Sequence, residues 1–471
     1  MFKQIGRLGF AISTTLFVLF HFLELFFSEA IFLSLISFFG LLTLFFGILI
    51  LNHRAILLPL ILLIVAIVIG LAHPSASFSE VFWVGASKMR SLLPMLFVIP
   101  FVAWVLKQEN YVEDTILLMK RQLKSSRTFY GLLIFMTQII SFFLLFGSIV
   151  VVYQIATTFF KGKVSPTWEV FKSTAVLRGF SFSSMWVVSM PSFAYTVAVL
   201  QADLIHAFIQ GLLVGVAGLL LGIVHLHFYE KKQKISLSSE IREVIAKAEE
   251  NRSTVQNGLR NPIEFAVLFS SLIILTFVAN ALLPLDLLAV IPFVVIVWVV
   301  TYFIVKRRMR ALFQEIKQYF SKRITSNAPQ WVLLLATGIL IVALDTSGLS
   351  EAAMQGVYQW SESALGINFL WVLPLIVLML GFLGVGPLSV TVLIAGIVLS
   401  IYLPYEPELI VLAMTLGSAL SILLSPIVIP TILLSGVNQK NPFENSVLYN
   451  WKFAITFYFL VETYIQIRLL F

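Results

Sequence analysis

The chain has no cysteine. That excludes disulfides, thiolate metal sites and thiol nucleophiles. Charge is almost as scarce: Asp, Glu, Lys and Arg make up 11% of 471 residues, against 59% hydrophobic residues, and mean hydropathy is +0.99. A soluble domain carries about 25% charged residues, so the composition is that of a polytopic helical membrane protein. The sequence holds no HExxH, no Gly-x-Gly-Asp and no serine in a rhomboid-like Gly-x-Ser-Gly setting, so no enzyme activity and no cofactor is expected. Nor does the net charge of +8 point to nucleic acid. The basic residues sit in short loops between apolar runs, where they act as orientation signals.

What is present is a succession of apolar segments able to cross roughly 30 Å of hydrocarbon. They lie at 8–27, 30–51, 54–72, 81–106, 129–160, 166–200, 203–228, 263–284, 286–305, 330–349, 367–402, 408–436 and 447–468. The opening MFKQIGRLGF has the look of a signal peptide, but no small-residue cleavage site follows, and 8–27 is expected as a retained helix. Segments 129–160 and 367–402 are too long for one crossing, since 32 residues at about 1.5 Å each would make a helix of roughly 48 Å. Lys124 and Arg127 precede the first and Lys161 and Lys163 follow it, whereas the second has no Lys or Arg near either end. Each therefore begins and ends on one side, the first cytoplasmic and the second external. Both are expected as re-entrant hairpins, with tips near Gly147-Ser148 and Gly386-Pro387. The fold class that follows is all-α, about 11 transmembrane helices plus two hairpins, multi-pass in the cell (plasma or inner) membrane with a cytoplasmic N-terminus.

The chain also echoes itself at a displacement of about 239 residues. FFLLFGSIVVVYQIA (142–156) returns as GFLGVGPLSVTVLIA (381–395), placing Phe143 on Phe382, Gly147 on Gly386 and Ala156 on Ala395, and the same shift carries Pro191 to Pro430. With opposite hairpin orientations this predicts two inverted-topology repeats, the sequence mark of a secondary transporter. The division is an extra helix in 1–29, a first repeat over 30–229, a cytoplasmic linker over 230–262 containing a short helix, and a second repeat over 263–471. The first repeat carries a basic interfacial arm at 107–127, and the second an acidic external arm at 350–366. Each hairpin is followed by a span rich in Ser, Thr, Gly and Pro, at 166–200 and 408–436. Pro191, Pro426 and Pro430 cannot donate backbone hydrogen bonds, and Gly179 and Gly417 relax the chain further. Unwound backbone at membrane depth lines a protein-buried or wet site. There, helix N-termini favour anions and carbonyls favour cations.

This arrangement resembles the ion transporter superfamily, which includes divalent anion:sodium symporters, citrate and dicarboxylate carriers and some sodium/proton antiporters. The matching pieces are FGSIVVVYQIA and VGPLSVTVLIA at the tips, SMPSFAYT and LSPIVIPT at the helix breaks, and LLLATGILIVALDTSGL at 333–349. The symporters' Ser-Asn-Thr tip motif is replaced by Gly-Ser-Ile and Gly-Pro-Leu-Ser. The resemblance implies an elevator mechanism, a homodimer, and a substrate held between the two tips and the two breaks.

On that reading Ser148, Ser184, Ser189, Ser389, Thr391, Ser425 and Thr431 offer hydroxyls to substrate or coupling ion, beside Gly147, Gly386, Pro387, Pro191, Pro426 and Pro430. Arg178, near the midplane of its span, suits a carboxylate or phosphate, or else neutralises carbonyls freed by the break. Lys88 and Arg90 in GASKMRSLLP line the path, or lie at the external mouth or an interface. Asp345 reads as a cap or turn residue, His21, Glu24 and Glu462 as residues of peripheral helices, and His225 and His227 as interfacial. Gly211, Gly215, Gly218 and Gly222 form a stripe for close helix packing. The expected function is secondary transport of a small organic or inorganic anion such as a di- or tricarboxylate, coupled to Na+ or H+. The alternatives are a sodium/proton antiporter on the same fold, and a non-transporting membrane scaffold or lipid-intermediate flippase.

Overall fold

The computed structural model describes residues 2–73, 78–112, 114–115, 125–159, 165–233, 237–238, 259–364 and 366–470. Among them the regular structure is helical, with no strand. Nine helices are long and apolar enough to cross a bilayer, or ten if Ser79–Lys88 and Leu92–Leu106 count as one span bent by 42°. The protein is a polytopic helical membrane protein. Residues 113 and 116–124 of the arm at 107–127, and most of the linker at 230–262 with its expected short helix, lie outside the described residues.

The chain opens with α1 (Phe2–Phe27), α2 (Ala30–Ile50) and α3 (His53–Ala72), then α4 (Phe78–Lys88), α5 (Leu92–Val98) and α6 (Val102–Leu106). The segment 81–106, expected as one span, turns at 89–91. Pro94 stands in the first turn of the helix that resumes, where a missing N–H goes unnoticed. Next come α7 (Ser126–Leu144), α8 (Gly147–Phe159), α9 (Pro166–Ser183), α10 (Pro191–Val199) and α11 (Leu204–Gln233). The later chain supplies α12 (Arg260–Leu282), α13 (Leu287–Val305), α14 (Met309–Gln318), α15 (Ala328–Thr346) and α16 (Leu349–Gln359). It closes with α17 (Phe369–Phe382), α18 (Pro387–Val398), α19 (Pro407–Leu424), α20 (Ile429–Asn438) and α21 (Tyr449–Arg468).

These helices pack into two bodies. A frame gathers α1–α6 and α12–α16, with α15 set against α2, α3 and α4. Gly85 and Gly338 bring α4 and α15 together backbone to backbone: a Cβ on Gly338 would stand 2.7 Å from Gly85 O. The second body, the core unit, gathers α7–α11 and α17–α21. In it α7 lies along α9, α17 lies along α19, and α9 crosses α19. Gly179 on α9 rests on the Ile134 carbonyl of α7, and Gly417 on α19 rests on the Pro374 carbonyl of α17, at 2.6 and 2.5 Å from a notional Cβ. Like elements of the two halves thus meet through like glycines. The glycine stripe of α11 packs inside the same body: Gly211 faces the Met185 carbonyl, Gly215 faces Gln138 and Trp186, and Gly218 faces Phe182 and Phe457.

Polar bonds between elements follow the same division. In the frame, Tyr111 OH donates to Glu264 Oε1 at 2.6 Å, Arg308 pairs with Glu109 at 2.6 Å, and Tyr319 OH donates to Phe97 O at 2.9 Å. In the core unit, Trp186 Nε1 donates to Gln138 Oε1 at 2.8 Å, and Arg468 pairs with Glu406 at 3.2 Å. Between the bodies the described polar contacts include Tyr405 OH to Glu362 Oε1, long at 3.3 Å, and the pairing of Tyr405 with Tyr358. The shared surface is mostly aromatic and aliphatic: Phe142 on Phe269, Phe143 on Phe265, Phe208 on Phe277, and Ile341 over Gly396.

The glycine contacts set a stability test. Gly417→Ala forces a methyl group against the Pro374 carbonyl, and overpacking of this kind costs about 1–3 kcal/mol. Gly436 on α20 has no atom within 4 Å of a notional Cβ, so Gly436→Ala should leave stability unchanged or raise it by about 0.5–1 kcal/mol. Thermal unfolding of the purified protein in detergent checks both signs.

Candidate functional site

Each segment expected as a hairpin forms two helices in mutual contact, α7–α8 and α17–α18; α8, α17 and α18 are too short to cross a bilayer, whereas the 19-residue α7 is long enough to do so. In the first, the Ser141 and Ser148 hydroxyl oxygens lie 2.8 Å apart. Seven residues of continuous helix would separate them by about 10.5 Å of rise, so the chain reverses between them. The reversal falls on Leu145, whose φ is 47°, and not on Gly147, which opens α8. This corrects the expected tip by two residues. The second tip spans 383–386 and uses two glycines at positive φ, Gly384 (91°) and Gly386 (77°), with Pro387 at the first position of α18. Only glycine adopts such φ values freely.

The helix breaks sit beside the tips. Residues 184–190 separate α9 from α10 and are buried throughout. Ser189 Oγ donates to Phe142 O at 2.6 Å, fastening the first break to the first hairpin. Residues 425–428 separate α19 from α20, and Ile427 covers Gly384 of the second tip. Across the halves, α10 packs on α18 and α20 packs on α8. The outgoing piece of each broken helix therefore meets the return helix of the other repeat's hairpin, as an inverted pseudo-twofold pairing requires.

The two repeats differ in how their hydroxyls are spent. In the first, Ser148 donates to Leu145 O at 2.7 Å, Ser184 to Ser181 O at 2.6 Å, and Ser181 and Ser183 to their own turns. Pro191 begins α10. In the second, Thr391 donates to Pro387 O at 2.7 Å, Ser425 Oγ accepts from Ile427 N at 3.5 Å, and Thr431 reaches Ile422 O at 3.4 Å. Pro426 lies in the break and Pro430 in the first turn of α20. Ser389 is buried and makes no hydrogen bond among the described residues. Ser418 and Ser421 on α19, which sequence reasoning did not single out, are buried with unpartnered hydroxyls. Ser421 stands directly against Gly381 of the second hairpin.

Arg178 is buried and its guanidinium is caged by protein. Nε donates to Asn450 Oδ1 at 3.0 Å, Nη1 to Tyr130 OH at 3.0 Å and Nη2 to Tyr449 O at 3.4 Å, with the Phe453 ring 4.1 Å away. Here it ties α9 to α7 and to α21. Sequence reasoning also missed a second buried cluster. Lys172 Nζ lies 3.1 Å from Glu169 Oε2, Tyr153 OH and Thr157 Oγ1. Glu169 and Lys172 stand three apart at the start of α9, on one face, which was the available signal. Ser173, Asn438, Asn445 and Asn450 continue the string to Arg178 through bonds of 2.8–3.0 Å.

The remaining expected residues lie elsewhere. Lys88 Nζ is 3.9 Å from Asp345 Oδ2, and Arg90 is 3.7 Å from Glu24, beside a fully buried His21. Glu462 is fully buried on α21 with Oε1 unpartnered. His225 meets Thr456 at 2.9 Å and His227 meets Arg127 at 2.7 Å.

Hairpins, broken helices and two packed bodies place the fold among those of polytopic membrane transporters. No family model and no curated protein sequence matches the chain. Among solved structures it is similar to the YdaH transporter of Alcanivorax borkumensis, whose crystal structure is described as having an unusual topology. The TM-score is 0.53 at 14% identity, over 88% of this chain and 99% of that one. At that identity the likeness is one of fold.

The Arg178 cage makes a direct prediction. Asn450→Leu strips Nε of its acceptor inside the core unit, and a lost hydrogen bond to a buried charge costs about 1.5–3 kcal/mol. Arg178→Lys should be similarly destabilised, because an ammonium cannot span Asn450, Tyr130 and the Tyr449 carbonyl together. Thermal unfolding of the two variants, beside the parent protein, measures both losses.

Proposed function

We propose that the protein is a secondary active membrane transporter in which the core unit carries a small anionic solute past the frame. It would sit multi-pass in the cell membrane, N-terminus cytoplasmic, as a member of the ion transporter superfamily. The observation that carries this reading is the convergence of helix ends inside the core unit. α8, α10, α18 and α20 all begin at a tip or a break, within the protein. The N-caps of three of them, Met190, Gly386 and Val428, provide no side-chain hydrogen bond; at the outer starts Ser125 and Ser165 cap α7 and α9, while Asn368 and Glu406 leave α17 and α19 uncapped. Uncapped helix N-termini favour an anion. The carbonyl ends of α7 and α9 lie together at the first tip and break, and those of α17 and α19 at the second, and such ends favour a coupling cation, Na+ or a hydronium-delivered proton.

Movement is supported by the division of polar bonds. Each body is stitched internally, and the surface between them is largely apolar, so sliding breaks few directed contacts. Frame helices would then serve as the static part of a homodimer. The caged Arg178 stabilises the carrier unit on this reading, and the unpartnered hydroxyls of Ser389, Ser418 and Ser421 are the groups free to meet solute or ion. A sodium/proton antiporter would exchange ions at a carboxylate in a break. The buried Glu462 is on α21, and Glu169, at the outer start of the broken helix α9, is held by Lys172, Tyr153 and Ser173 away from the break, which favours the symporter.

Proteoliposome uptake of labelled succinate, citrate, sulfate and gluconate, with Na+ and H+ gradients imposed separately, tests the reading. Accumulation of one anion under one gradient is the expected result. Ser421→Ala removes a hydroxyl that bonds to nothing in the protein, so stability should hold or rise while uptake falls about tenfold, the worth of one hydrogen bond to a ligand. No accumulation under either gradient, with sodium-driven collapse of a pH gradient, would replace the symporter with the antiporter.

A further inference from the structure

A cavity of about 560 Å³ opens between the frame and the core unit, away from the tips. Its walls come from α4, α13, α15 and α16 on one side and from the outer ends of α10 and α18 on the other. Gly396, on its wall, is nine residues along α18 from Pro387, about 14 Å of helix rise from the second tip. Three carboxylates line it, Asp286, Asp345 and Glu351, against one ammonium, Lys88. Ser350 Oγ donates to Asp345 Oδ1 at 2.9 Å, so only Oδ2 of Asp345 faces Lys88, at a loose 3.9 Å. The Lys88 and Asp345 side chains are 42% and 36% exposed, and a pair so open to solvent holds weakly.

Tyr195 supplies an independent sign of a ligand. It is 5% exposed, lines the cavity, and its hydroxyl has no hydrogen-bond partner among the described residues. A phenol this deep ordinarily finds a partner. Leu92, Leu288 and Leu399 make the rest of the wall apolar. No group of three or more metal-binding side chains is found among the described residues, so the acidic rim does not have the ligands of a metal site.

We propose that this cavity is a binding site for a small organic amine, its ammonium held by Asp345 and Glu351, its donor or acceptor group met by Tyr195, and its apolar body against the leucines. Spanning both bodies, such a ligand would hold them together. The site stands apart from the solute reading above, since it is built of different residues and takes the opposite charge.

The natural absence of cysteine provides the test. Ser400, on the cavity wall, is replaced in the full-length protein by Ser400→Cys, and the thiol is modified by trimethylammonium-ethyl and sulfonatoethyl methanethiosulfonates. With each rate normalised to a free thiol, a potential of a few kT favours the cationic reagent by about tenfold or more, and Asp345→Asn with Glu351→Gln should bring the ratio near one. 2-Phenylethylamine should protect the thiol saturably, while 2-phenylethanol and 3-phenylpropionate should not, and Tyr195→Phe should weaken the protection about five- to tenfold. Equal normalised rates, or equal protection by amine, alcohol and carboxylate, would overturn the proposal. Protection by the amine that the three substitutions leave unchanged would overturn it as well.

Discussion

A peptide group that leaves its helix at membrane depth must find its hydrogen bond in protein, because hydrocarbon offers none. Everything central to this molecule depends on that constraint. The first break, 184–190, meets it with tight local turns: Ser184 N to Ser181 O, Met185 N to Phe182 O, Val187 N to Ser183 O and Met190 N to Val187 O, at 2.8–3.2 Å. A turn of that kind still exposes more backbone than a helix, so the segment is sealed on all sides, by Gly211 of α11 over the Met185 carbonyl and by α7 through Ser189 and Trp186. The close glycine packing of α11 is thus a consequence of the break. With a side chain at Gly211 the covering helix would stand off and the carbonyl would lose its shelter.

The same constraint explains why so much of the fold was legible in the sequence. A run of 32 residues is too long for a bilayer, and charges on one side of both its ends leave only a hairpin. Proline inside an apolar span marks a break because it removes a donor the membrane cannot replace. Legibility failed where packing, and not residue type, decides. The first tip turns on Leu145, an aliphatic residue at positive φ, while a glycine two residues later looked the natural pivot. The bend at 89–91 carries no proline of its own. For Arg178 the sequence left a solute contact and a structural role both open, because its partners here, Asn450 and the Tyr449 carbonyl, lie more than 270 residues away. One sequence cannot show that juxtaposition, although the cluster of amides at Asn438, Asn445 and Asn450 was a trace of it.

Those amides bear on how the core unit behaves as a body. From Lys172 and Glu169 through Ser173, Asn438 and Asn445 to Asn450, Arg178 and Tyr130, one string of bonds links α7, α8, α9, α20 and α21. It crosses from the first repeat to the second. Buried polar networks are costly when partly satisfied and rigidifying when complete, and this one is well supplied, with Lys172 meeting three partners and Glu169 accepting from Tyr153, Ser173 and Lys172. Two hairpins and two broken helices would otherwise be loose pieces. Joined in this way they form a single unit whose outer contacts are mainly aromatic and aliphatic.

Inverted repeats give symmetric backbones, but these two have not kept symmetric chemistry. In the first, nearly every hydroxyl near the break is bonded within the protein, and Ser189 locks tip to break. In the second, the break is held by long contacts at 3.4–3.5 Å, and Ser418 and Ser421 are bonded to nothing. A buried hydroxyl without a partner costs stability that a simple Ser-to-Ala change would recover, so its presence at two positions one turn apart, against a hairpin, calls for a group that arrives from outside. On the proposed transport reading, the first repeat would serve as the fixed wall of the site and the second as the side that answers to a ligand. The positive-φ glycines of the second tip fit that division, since a turn made of Gly384 and Gly386 can readjust at less cost than one built on Leu145.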